Sequence, residues 1–81
     1  MFESVIELDV HGLNSFQAKT LIDSKIKKSK GAYRIRVIHG YNNGTALRDM
    51  IRNEYGGNHK HVKRIEIGFN QGQTDLVLKE M

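Results

Sequence analysis

The sequence predicts an α/β fold, a two-layer sandwich in the order βαβαββ whose mixed four-stranded sheet carries two helices on one face. Three observations predict it. Apolar residues alternate with polar ones at Ile6, Leu8 and Val10, at Ile35 and Val37, and in two later stretches holding Ile65 with Ile67 and Leu76 with Leu78. Between the first three stretches the apolar spacing lengthens to that of a helix, with Ala18, Leu21, Ile22 and Ile26 in one segment and Leu47, Met50, Ile51 and Tyr55 in the other. Strands joined through helices are expected to run parallel with right-handed crossovers, and the last strand, reached by a short hairpin, antiparallel.

The elements follow in order. A first strand runs from about Ser4 to His11 and ends at Gly12. Leu13, Asn14 and Gln17 then read as a hydrophobic residue, an N-cap and its capping-box partner, opening a helix closed by Lys27, Lys28, Lys30 and Gly31. Tyr33 to His39 is a second strand, with Arg34 and Arg36 on the face opposite Ile35 and Val37. It leads through the turn Gly40-Tyr41-Asn42-Asn43-Gly44 into a second helix, from about Thr45 to Tyr55, stopped by Gly56-Gly57. Asn58 to His61 is loop. A third strand pairs Ile65, Ile67 and Phe69 with outward Arg64 and Glu66, Asn70 to Gln73 forms the hairpin turn, and a fourth strand covers Asp75 to Lys79. Two helices suffice for one face, so the other is expected to be partly open and to carry Arg34, Arg36 and Arg64.

With 81 residues, 38% hydrophobic and 27% charged, the chain is expected to form a single domain over residues 1–81, folding alone around one core. Cysteine is absent, which removes disulfide scaffolds and thiolate metal sites. Met1 to Val10 holds Glu3, Glu7 and Asp9 without a basic leader, and no apolar stretch is long enough to span a bilayer, so a cytoplasmic protein with no membrane partner is expected. Formal charge is +4, and between Asp23 and Asp49 every charged side chain is basic. Such a region suits a polyanion: nucleic acid, gripped through Lys27, Lys28, Lys30, Arg34 and Arg36.

Ligands of parallel α/β sheets bind beyond the carboxyl ends of the strands. There Asp9 and His11 finish the first strand, His39 finishes the second, and Gly40 to Gly44 leads into a helix start, where exposed amides, the Thr45 hydroxyl and the Arg48 guanidinium suit a phosphate. Tyr41 on the turn is the aromatic best placed to stack on a base, whereas Tyr55 reads as core. His59-x-His61, without nearby partners, reads as solvated loop and no metal site is assigned.

Three blocks, Leu8-Asp9-Val10-His11-Gly12, then Ile38-His39-Gly40 with Gly44-Thr45-Ala46-Leu47-Arg48, then Gly72-Gln73-Thr74-Asp75-Leu76-Val77-Leu78, resemble the signature motifs of Smr (small MutS-related) domains over essentially the whole chain. The second block departs from the family pattern: Gly-Tyr-Asn-Asn-Gly replaces the tighter Gly-x-Gly-x-Gly. The resemblance implies a free-standing Smr domain with a fold like the C-terminal domain of bacterial translation initiation factor three. It implies an endonuclease or nucleic-acid-binding module, with Asp9 and His11 tied to cleavage and Gly72 among the binding residues.

Metal-assisted DNA hydrolysis wants clustered carboxylates, and this edge supplies Asp9 with Glu7 one pleat away. RNA brings its own nucleophile, the 2′-hydroxyl. RNA is therefore favoured over DNA, with no cofactor, and a divalent metal is expected only if DNA is cleaved. In this scheme His11, oriented by Asp9, exchanges the protons while His39, the turn amides and Arg48 stabilise the phosphate. The competing reading is a non-catalytic RNA- or DNA-binding or ribosome-associated adaptor, recruited by the ribosome or by another protein.

Overall fold

The computed structural model describes residues 5–29, 32–40, 46–57, 59–68 and 71–79. Its elements are β1 (Val5–Asp9), α1 (Ser15–Lys28), β2 (Arg34–Ile38), α2 (Ala46–Tyr55), β3 (Arg64–Glu66) and β4 (Gln73–Val77), the βαβαββ order. The sheet order is β1-β2-β4-β3, with β1 and β2 parallel and β4 antiparallel to both of its neighbours. The last strand in sequence is thus central, and β3 lies parallel to β1 and β2 at the far edge.

Burial explains that order. Thr74, Leu76 and Val77 of β4 are all fully buried, as suits a strand flanked on both sides by other strands. β3 is short and charged, as an edge strand must be if it is not to template further pairing. The expected continuation of this strand through Ile67 is not observed: among the described residues β4 is its one neighbour, the ladder stops at Glu66, and Ile67 is 57% exposed. The fourth strand begins earlier than expected, because pairing with β2 extends to Ile38 opposite Gln73 and leaves Gln71 and Gly72 as the turn. The expected roles of Ser4, Lys30, Gly31, residues 41–45, Asn58, Phe69 and Asn70 lie outside the described residues.

One sheet face and both helices share the core. Ile22, Ile35, Val37, Ile51, Tyr55 and Leu76 are all fully buried within it, with Ile6, Leu8 and Ile65 packed alongside. α1 opens on the expected capping box, Gln17 N–H donating to Asn14 Oδ1 at 2.8 Å and Asn14 N–H to Gln17 Oε1 at 3.1 Å. The helices are tied together by the Tyr55 hydroxyl, which donates to Asp23 Oδ1 at 2.5 Å. Burial and this bond push the Tyr55 hydroxyl far up, so it remains a donor. Burial alone would raise Asp23, but the Lys19 ammonium and the Tyr55 hydroxyl outweigh it and leave the carboxyl lowered.

The opposite face carries an ion-pair network. Arg34 Nη1 donates to Asp75 Oδ2 at 2.7 Å, and Arg36 reaches both oxygens of the same carboxylate at 3.1 and 3.3 Å. Arg34 also meets Glu66 at 2.8 Å and lies 4.7 Å from the centre of the Tyr33 ring. Side-chain exposure is 14% for Arg34 and 13% for Asp75, so water does little to replace a lost partner. Asp75→Ala is therefore expected to lower stability by about 2 kcal/mol, measured as the shift in urea midpoint at constant m-value.

Candidate active site

β1 and β2 end side by side. Asp9 faces Ile38 in the parallel register, and Val10 N–H continues the pairing to the Ile38 carbonyl at 2.9 Å. One step further, a Cβ built on Gly40 would stand 3.5 Å from the Cβ of His11, so the chain leaving β2 passes directly beside that residue. Gly12 and Gly40 turn with φ of 85° and 75°, the left-handed region that glycine enters at least cost.

Asp9 and His11 form an exposed pair. His11 Nδ1 lies 2.5 Å from Asp9 Oδ1, and the His11 amide donates to the same oxygen at 3.0 Å. The ring bond first, then the amide, hold the Asp9 carboxyl below the ordinary carboxylate range. An ionised Asp9 only accepts, so Nδ1 carries the proton and Nε2 is left as a basic nitrogen with no partner among the described residues. The side chains of His11 and Asp9 are 67% and 52% exposed, open to a large substrate.

His39 is arranged differently. It is buried, with Nδ1 donating to the Gly40 carbonyl at 2.8 Å and Nε2 within 2.9 Å of Thr74 Oγ1. Thr74 in turn receives Arg52 Nε–H at 3.3 Å. Burial is the main reason that the pKa of His39 lies below its usual value, with the Arg52 and Arg48 charges adding to the effect. A neutral ring then accepts the Thr74 O–H at Nε2, giving a directed chain from Arg52 through Thr74 and His39 to Gly40. The structure thus places both ring nitrogens of His39, expected to face a phosphate, against Gly40 and Thr74, where they brace the end of β2. The His39 and Gly40 amides both donate to the Gly72 carbonyl, at 2.8 and 3.0 Å, so these donors too are occupied and Gly72 acts from within as a buried tie.

The remaining expected residues divide by place. Arg48 stands one helical turn before Arg52, on the His39 side of the site, its side chain 31% exposed. Tyr41, Asn42, Asn43, Gly44, Thr45 and Lys30 lie outside the described residues. Arg34 and Arg36 are not free cations, being engaged by Asp75. Lys27 and Lys28 are exposed in the last turn of α1, at the opposite end of the sheet from Asp9 and His11. His59 and His61 form no three-ligand cluster among the described residues; the His61 amide donates to His59 Nδ1 at 3.1 Å. Thr74 and Arg52 were not singled out by sequence, although Thr74 stands inside the third motif block.

A family model describing the Smr domain matches residues 8–75. Among solved structures, the chain is similar to the Smr domain of Thermus thermophilus MutS2, with a TM-score of 0.82 at 25% identity, covering 93% of this chain and 99% of that one. No curated protein matches.

Two measurements test the bracing chain. Because folding holds His39 below 6.5, the unfolded chain takes up this proton first on acidification. Its contribution is therefore complete above about pH 6.5 and is lost as pH falls through the lower folded value, above the window where the depressed carboxylates Asp9, Asp23 and Glu66 act. Urea midpoints at pH 7.5 and 5.5 are expected to show a smaller acid loss for His39→Gln than for the parent. Gly40→Ala forces a side chain into the left-handed region and is expected to cost about 1 kcal/mol by the same assay.

Proposed function

The chain belongs to the Smr domain family, a nucleic-acid-binding and nuclease-type domain, and from that premise we propose that it cleaves RNA at the Asp9–His11 pair. The observation that carries this reading is the pair itself: a carboxylate 2.5 Å from Nδ1 of an imidazole that is 67% exposed. Asp9 holds the ring in one tautomer, and Nε2 is the base.

In the proposed reaction His11 Nε2 takes the proton of a 2′-hydroxyl. The 2′-oxygen bonds to the adjacent phosphorus as the bond to the 5′-oxygen breaks; the departing oxygen takes a proton from water, and the hydroxide left behind takes the proton held on His11. The products are a 2′,3′-cyclic phosphate and a 5′-hydroxyl end. Positive charge for the crowded phosphate comes from Arg48, on the His39 side of the strand ends. One carboxylate beside one imidazole is the inventory that this chemistry needs, which supports RNA as substrate over DNA.

A second reading, binding without cleavage, draws support from the His39 and Gly40 amides, which are spent on Gly72 and withdrawn from any phosphate cradle. Product formation separates the two. Labelled single-stranded RNA incubated with the protein is expected to yield cyclic-phosphate ends with or without EDTA. Asp9→Ala and His11→Ala are each expected to slow cleavage by roughly a hundredfold or more with circular dichroism unchanged. Undiminished rates in both folded variants would remove the pair from the mechanism.

A further inference from the structure

The far end of the molecule holds a cleft that the Asp9–His11 site does not use. Hydrogen bonds from the Leu78 and Lys79 amides to the Tyr33 carbonyl set the end of β4 beside the start of β2. α1 runs from Asn14, next to the site, back to the same end. Its 14 residues span about 21 Å. There Ile26, Lys27, Ser29, His61, Leu78 and Lys79 line a space of about 370 Å³. A second space of about 250 Å³ continues it past Lys27 and His61 to His59 and Lys60.

The lining combines two chemistries. Ile26 and Leu78 make an apolar floor, and Lys27, Lys60 and Lys79 make a cationic rim that carries no ion pair among the described residues. The carboxylate on the wall, Asp23, is already engaged by Lys19 at 2.8 Å and by the Tyr55 hydroxyl. A rim of unpaired ammonium groups around an apolar seat is complementary to a flat, weakly polar ring attached to a phosphate. The main space lies at the small end of the roughly 300–1,000 Å³ that holds small organic groups.

We propose that this cleft seats an unpaired nucleotide of a bound RNA strand, its base on Ile26 and Leu78 and its flanking phosphates on Lys27 and Lys79. The inference rests on the nucleic-acid reading of the chain. It also gives Lys27 a place: it grips the strand about one helix length from the reacting pair.

The test is amide chemical-shift mapping with a 2′-O-methyl RNA 12-mer, which offers no 2′-nucleophile, together with salt-dependent affinity of the parent and of Lys27→Ala/Lys79→Ala. The 12-mer is expected to shift the amides of Lys27, His61, Leu78 and Lys79 as well as those near Asp9 and His11. The double variant is expected to bind roughly tenfold more weakly, with a salt slope smaller by about 1.4 for two lost phosphate contacts. Shifts confined to the Asp9–His11 end, with unchanged affinity of the double variant, overturn this inference and leave the cleavage proposal standing. Shifts at the cleft alone support it while counting against cleavage at Asp9. Polyphosphate moving the same amides equally overturns the base seat, and adenosine monophosphate doing so at equal nucleotide concentration makes the occupant a free nucleotide and overturns the strand assignment. No shift at either end overturns both readings.

Discussion

The parallel pairing of β1 with β2 is the constraint on which the site depends. A slip of one residue would turn Ile6 and Leu8 out of the core and carry Asp9 to the other face, so burial on one side locks the register. Only in that register does the chain leaving β2 pass beside His11, bringing an acid–imidazole pair and a buried, neutral imidazole to one end of the sheet. Two histidines separated by 28 positions thereby divide the work: the exposed one keeps a free nitrogen, and the buried one has none.

Local signals were legible and distant pairings were not. The alternation at Ile6, Leu8 and Val10, the Asn14–Gln17 capping box and the inward stripe of Tyr55 all follow from neighbours within a few residues, and all are found. The Asp9–His11 contact spans two residues and was equally readable. By contrast, Arg34 and Arg36 meet Asp75 across about forty positions, and Arg52 meets Thr74 across 22. Nothing in the charge pattern around Arg34 discloses that a later strand will supply its carboxylate. The basic run was visible as charge, whereas its division between a neutralised sheet face and an unpaired helix end appears only once the strand order is known.

That division changes how the net charge acts. On the open sheet face, Arg34, Arg36 and Arg64 alternate with Glu66 and Asp75, so the arginines serve cohesion. At the end of α1 the lysines stay in water, where their long-range field is the available means of drawing in a polyanion. Similar residue types thus carry different duties, decided by whether a carboxylate lies within reach.

The central position of β4 bears on when the domain becomes competent during synthesis. The Gly72 carbonyl that receives the His39 and Gly40 amides, and the Thr74 hydroxyl that fixes the His39 ring, both arrive with the final hairpin. A nascent chain that has released only β1, α1, β2 and α2 from the ribosome has the acid–imidazole pair in sequence but lacks the strand that joins the two halves of the sheet, so non-local closure is the late step of folding. The end of the sheet that holds His39 is therefore braced only once the last strand has left the ribosome.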